Sequence, residues 1–329
     1  MVHLRIVAPA GAIRQTLDVL MQAQSVVNVI HLEDASKKPR GDVVLCDVAR
    51  EDASVVLADL RALGLAQSGS IAVEEIDTAI SDSARAAEAA AAGSVADAVI
   101  WEEVEARTSE SAELSFSFLA FMVLATLIAS AGIMTDSQIL IIGAMVVGPE
   151  FGPLAGFCVA VIDRRLDLAR RSLFALAVGF PFAIVLTTLL TLILRWLGPA
   201  PDQVTANSRP ATYFIAHPNT FSVVVATLAG VAGMLSLTTA KSGALIGVLI
   251  SVTTIPAAAN VGVAAAYGDW HDFGGALAQL GINLTCVVLS GIATLALLRV
   301  FYARRRRRHL ERASWQAPPD PRVHGRGRR

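Results

Sequence analysis

Between Ile139 and Ile162 the chain is apolar enough to cross a bilayer, yet the middle of that stretch reads Gly148-Pro149-Glu150-Phe151-Gly152-Pro153. A carboxylate at bilayer mid-depth costs roughly 2.5–3.5 kcal/mol on insertion scales, and such residues mark ion and proton pathways. Proline removes a backbone donor and clashes with the preceding turn. Irregular backbone at that depth persists only inside protein or along a water-lined cavity. The chemistry on offer is proton or cation binding, with Glu150 as the coupling group. A later span has a related character: Pro256 can break it, with Thr253, Thr254 and Asn260 supplying polar atoms nearby, and Asn283 adds an amide in the last span. The expected substrate- or ion-binding set is therefore Gly148, Pro149, Glu150, Gly152, Pro153, Thr253, Thr254, Pro256, Asn260 and Asn283. Glycine, proline and threonine also serve close packing in transmembrane helices, the commoner role for any one of them alone. The matched pair of breaks, taken with Glu150, favours a cavity.

These residues need helices to position them. Six apolar segments each approach the ~20 residues that span hydrocarbon: Leu114–Ile133, Ile139–Ile162, Ser172–Leu194, Phe221–Ala240, Ser242–Tyr267 and Phe273–Leu298. Within these limits Glu150 is the one charged residue. Arg195 to Thr220, with Pro199, Pro201, Pro210 and Pro218, reads as an ordered external loop or lid. Arg164, Arg165, Arg170 and Arg171, then Lys241, then Arg304–Arg308 fall on one side of a six-span arrangement, leaving Arg195 and Arg209 on the other. By the excess of Lys and Arg in cytoplasmic loops, both termini are expected in the cytoplasm. Met1 to Ala12 lacks a basic stretch followed by an apolar core, which agrees with that orientation.

Charge divides the chain in the same way. The net charge of −1 hides nine Lys/Arg against eighteen Asp/Glu in residues 1–112, and eleven Arg against two acids in residues 299–329. The expected domains are a cytoplasmic front (1–78), a helical linker (79–113), a membrane domain (114–300) and a basic, disordered tail (301–329). A basic cluster directly after a membrane helix, here Arg304–Arg308, is a stop-transfer signal and an anionic-lipid contact; nucleic acid is not expected. The odd cysteine count and scattered spacing argue against disulfides and metal sites, so Cys46, Cys158 and Cys286 read as small buried apolar residues. No span carries a nucleophile–base pair or a metal-ligand spacing. An enzyme is not expected, nor a cofactor.

The front alternates strand and helix signals in the order βαββαβ, the split βαβ of ferredoxin-like sandwiches. That order resembles the ACT class of small-molecule sensing domains, which implies an effector at a dimer interface. The expected fold class is thus an α+β ferredoxin-like domain followed by an all-α membrane domain of six transmembrane helices. A weak internal match relates the two halves of the membrane domain: Phe116-Ser117 recurs at Phe221-Ser222, and Ser137 falls on Ser242 at the same offset. A repeated three-span unit reverses direction, so the expectation is two inverted repeats with broken helices two and five, the pattern that marks the midplane site of many transporters.

Gly143-Ala144-Met145, followed by Pro149 and Gly152-Pro153, resembles the bacterial and archaeal membrane family called domain of unknown function 389. The resemblance runs from about Ser115 to Val300. Gly148 stands where that family usually has serine and Glu150 where it usually has an apolar residue. Its usual paired prolines in the second half are similar to Ile255-Pro256-Ala257. The resemblance implies a membrane fold, often behind a ferredoxin-like front domain, and no established activity. The functional expectation is a transporter or channel-like protein with a cytoplasmic regulatory or oligomerisation domain and self-association into a homo-oligomer. The alternative is a membrane-anchored metabolite sensor or scaffold.

Overall fold

The computed structural model describes the chain outside residues 77, 92–100, 203, 205–208, 239–243 and 317–329; the side chains of 102, 244–253 and 302–316 are likewise left aside. The chain divides into two compact units, Met1–Ile100 with Leu298–Arg329, and Trp101–Leu297.

The first unit is built on a four-stranded antiparallel sheet of β1 (Val2–Ala8), β2 (Val26–Lys37), β3 (Arg40–Val48) and β4 (Ser70–Glu75), in the order β2-β3-β1-β4. Strand alternation sends Val2, Leu4 and Ile6 of β1 and Val44, Cys46 and Val48 of β3 to one face, all fully buried. Helices α1 (Ile13–Gln22) and α2 (Arg50–Ala62) meet them with Leu20, Ala53, Val56, Leu57 and Leu60. Burial pushes the Cys46 thiol up to about 12, with the Asp47 charge adding to it, so this sulfur is an inert core atom at neutral pH. The edge strand β2 is bulged at two places, where Asn28 and Asp34 take positive φ. Bulges of this kind blunt an open edge. Across the β2–β3 pair the Asp34 amide donates to Asp42, and His31 lies 2.8 Å from the same carboxylate; together they hold Asp42 below the usual carboxylate range. The plain βαββαβ expectation is not matched. Gly64, at φ 75°, ends α2 and starts an additional helix, α3 (Leu65–Ser68), before β4. A further helix, α4 (Asp82–Ala90), capped by the Ser81 hydroxyl, packs Ala84 and Ala91 with Met1 and Ala49.

The second unit holds α5 (Trp101–Ser111), α6 (Phe116–Met134), α7 (Gln138–Val147), α8 (Phe151–Asp163), α9 (Leu166–Leu197), α10 (Thr220–Thr238), α11 (Ala244–Tyr267) and the first part of α12 (Trp270–Gln316). Side chains set the starts: the Ser115 hydroxyl accepts from the Phe118 amide at 3.0 Å, and Ser137 from the Leu140 amide at 3.4 Å. The expectation of six spans needs correction. Among the described residues four helices are long and apolar enough to cross a membrane, α6, α9, α10 and α12, or five if α7 and α8 together form one bent span. The segment expected as the fifth span is α11. From Thr254 to Ala264 it is buried on every side, enclosed mainly by α6, α7, α9 and α10.

The expected match between broken helices two and five also fails. The second segment does break, with α7 and α8 meeting at 52°. Gly148 is extended (ψ 124°), as the residue before a proline prefers, and Pro149 cannot donate to the turn before it. Pro153 then sits in the first turn of α8, where a proline is tolerated. By contrast α11 runs through Pro256 as one helix. The two halves are therefore not alike at the feature on which the inverted repeat rested.

Candidate functional site

Glu150 is the N-cap residue of α8 and is completely buried. Its Oε1 accepts a hydrogen bond of 2.7 Å from the Thr254 hydroxyl of α11. The backbone on either side explains the position. The break at Gly148-Pro149 ends α7, and Glu150 follows it with helical φ and ψ at the start of α8, where its side chain makes no cap hydrogen bond to the first turn and is bonded instead from α11. The helices that meet here contribute Ala144, Met145, Leu154, Ile255 and Ala258 to one continuous apolar core. A carboxylate in that setting is held by what hydrogen-bonds it, because water is excluded.

The structure brings together part of the expected set. Gly148, Pro149 and Glu150 form the break, and Thr254 reaches it from α11. Pro153 and Pro256 are buried beside them in sequence, in α8 and α11. Gly152 serves a different contact: a Cβ there would lie 2.7 Å from both the Ser111 Cβ and the Ser111 carbonyl oxygen. At Gly156, one turn on, the same atom would lie 2.9 Å from the Ala112 Cβ. This small-residue face of α8 admits α5 and the residue after it at close range. Asn283 is buried and accepts from the Gln279 amide within α12, at 3.3 Å. The side chain of Thr253 lies outside the described residues, as do those of Arg304–Arg308.

Asn260 belongs to a second polar cluster, about 9 Å along α11 from Thr254 at the helical rise of 1.5 Å per residue. Its Oδ1 accepts from Arg209 Nη1 at 2.7 Å, while Arg209 Nη2 pairs with Asp272 at the start of α12. Arg209 is only 2% exposed and Asp272 6%. Neither was expected at a site. One signal existed in the sequence: Arg209 is a basic residue on the side of the spans otherwise poor in Lys and Arg, so orientation gives it no role. The expected outer loop is tied down around this pair. Asp136 (φ 50°) accepts from the amides of Ala211 and Thr212 and from the Thr212 hydroxyl at 3.0–3.2 Å. The Tyr267 hydroxyl donates to Pro201 O at 2.6 Å, and the Arg195 guanidinium sits 4.3 Å from the Tyr267 ring centre. Beside the pair, donor atoms of His217, His271 and Asp272 all lie within 4.8 Å of one another, the one group among the described residues with metal-ligating geometry.

Residues 145–289, which include Glu150, Thr254, Arg209 and Asp272, match the model of a family described as a domain of unknown function (DUF389). The chain is 28% identical over 194 residues to an uncharacterized protein of Methanocaldococcus jannaschii, a match covering 59% of this chain and 58% of that relative. The chain thus aligns to a little over half the relative's length. No solved structure matches. The comparisons and the apolar helices agree on a membrane protein of unknown function.

Proposed function

We propose that the chain is a membrane transporter or channel-like protein in which Glu150 exchanges a proton or a small cation. One observation carries this reading: a completely buried carboxylate at the break between α7 and α8, hydrogen-bonded by Thr254 of α11. Buried ionisable groups on broken helices in membranes are costly, and function is the usual reason for keeping them. In this reading the protein lies in the cytoplasmic membrane with both termini inside and Arg304–Arg308 against anionic lipid. The front unit associates with copies of itself and regulates the spans, a role suited to the exposed Ile30 and Leu32 on β2.

The test is flux into proteoliposomes under gradients of protons, sodium, potassium and amino acids. Wild-type protein is expected to move at least one of these. Glu150→Gln keeps size and hydrogen-bonding capacity but removes the titratable proton, and is expected to abolish the pH dependence of that flux. Folded wild-type protein that moves nothing under any gradient would remove the reading.

A further inference from the structure

The geometry points to a divalent transition-metal site formed by His217, His271 and Asp272, which binds Zn²⁺ and staples the outer loop to the start of α12. His217 closes the short 3₁₀ turn Tyr213–Ala216. Its Nδ1 lies 3.1 Å from the Tyr213 carbonyl oxygen, so Nδ1 carries the proton and Nε2 keeps its lone pair for a metal. The Tyr213 ring stacks on the imidazole at 3.9 Å between centres and fixes its plane. Asp272 is oriented from the other side: Oδ2 is held by Arg209, leaving Oδ1 toward His271, whose Nδ1 is 3.7 Å away. Two imidazoles and one carboxylate are the donor set of open zinc sites, with water completing the shell; here His217 and Asp272 each have a second partner that sets their direction.

The dimensions agree. With metal bonds of about 2.0–2.1 Å, tetrahedral neighbours stand about 3.4 Å apart. The donors here lie within 4.8 Å of one another, and the most exposed of them, His271, is free to swing inward because its side chain is 85% exposed. Imidazole nitrogen with a single carboxylate favours Zn²⁺, Co²⁺ or Ni²⁺ over Ca²⁺ or Mg²⁺, which take oxygen. The separation of His217 and His271 in sequence hides the site from any spacing motif; the fold alone joins them. The consequence is mechanical: a bound ion cross-links the loop bearing Arg209 and His217 to α12, and so holds the Arg209–Asn260 contact on α11 closed. This inference does not depend on the assignment of Glu150.

Full-length protein in detergent, stripped with chelator, is titrated with ZnCl₂ by calorimetry, and with CoCl₂ followed by visible absorption. The expected result is one ion per chain, a tetrahedral-type cobalt spectrum displaced by zinc, and a zinc-dependent rise in melting temperature. His217→Ala and His271→Ala are each expected to weaken binding by roughly tenfold or more. In both, the zinc-dependent rise in melting temperature is expected to disappear, read against each variant's own metal-free value. The wild-type cobalt titration stands even where a variant folds poorly. Absence of a stoichiometric wild-type complex overturns the site, as does zinc affinity undiminished in the well-folded double variant.

Discussion

The second apolar segment and α11 carry the same sequence signal and resolve it in opposite ways. Both place proline in the middle of an apolar run, and α9 contains a third such residue, Pro181, inside a helix of 32 residues. Each proline leaves the carbonyl four residues before it without its amide partner. Among the described residues the helix is interrupted at Pro149, where α7 and α8 meet at 52°, whereas α9 and α11 each continue through their proline as one helix. Two things distinguish that position. Gly148 precedes it in an extended conformation, so the helix ends there. The second half, α8, then leans on α5 through Gly152 and Gly156, which gives it a partner of its own. Around Pro256 the chain has no such alternative: Ile255 and Ala257 to Asn260 are fully buried against neighbours, and Thr254 and Asn260 are tied at either side of the proline. Proline permits a break; the neighbouring helices decide whether it is used.

The comparison breaks first at the clamp on the far side of Pro256. Arg209→Met removes one member of a buried ion pair and leaves Asp272 in place, which is expected to cost about 3–5 kcal/mol. Thermal unfolding in detergent measures this. The double variant Arg209→Met, Asp272→Leu is expected to recover much of the loss, because an apolar pair of similar volume often replaces a buried ion pair without penalty. If the single variant melts as wild type does, the clamp is not what holds the end of α11.

The tie on the near side is weaker. Thr254→Val keeps the shape of the side chain and removes the hydroxyl that donates to Glu150. A hydrogen bond to a charged group is worth about 1.5–3 kcal/mol, and a loss of that size is expected. The same change made in a Glu150→Gln background sharpens the assignment: a smaller loss there means that the hydroxyl serves a carboxylate, whereas an equal loss means that it serves packing.

The break itself was legible in the sequence, because Gly-Pro-Glu-Phe-Gly-Pro concentrates helix-ending residues within six positions and places a charge among them. The front strands were legible for a similar local reason, through alternation such as Val2, Leu4 and Ile6. What escaped depended on neighbours distant in the chain. Nothing near Pro256 announces that α11 is enclosed by its neighbours, so it was expected to break and to line a cavity opposite the second segment. Gly152 was assigned to a binding set because its packing partner, Ser111, lies in a segment read as linker. Arg209 and Asp272 stood in a loop and at a helix end, positions where charge is ordinary, and only the fold buries them together. The turn at Gly64 that adds α3 rests on a single positive φ, which one glycine permits but does not require.

The smallest expected effects test whether α5 fixes the bend. Gly143 of α7 and Gly156 of α8 are both glycines inside helices on either side of the break. Replacing either by alanine gains about 0.5–1 kcal/mol of intrinsic helix stability. At Gly143 a Cβ would meet nothing within 4 Å, so Gly143→Ala is expected to raise the melting temperature slightly. At Gly156 the same atom would meet the Ala112 Cβ and the Ser172 Oγ, both at 2.9 Å, and the Thr108 carbonyl at 3.3 Å. Overpacking of this kind costs about 1–3 kcal/mol, which outweighs the gain in propensity, so Gly156→Ala is expected to be destabilised. Because the two changes are chemically identical, the difference between them reports the close approach to α8 of α5, the residue after it and Ser172 of α9. Equal behaviour of the two variants would mean that α8 does not depend on this close packing against α5 and α9, and the cause of the bend would then lie in Gly148 and Pro149 alone.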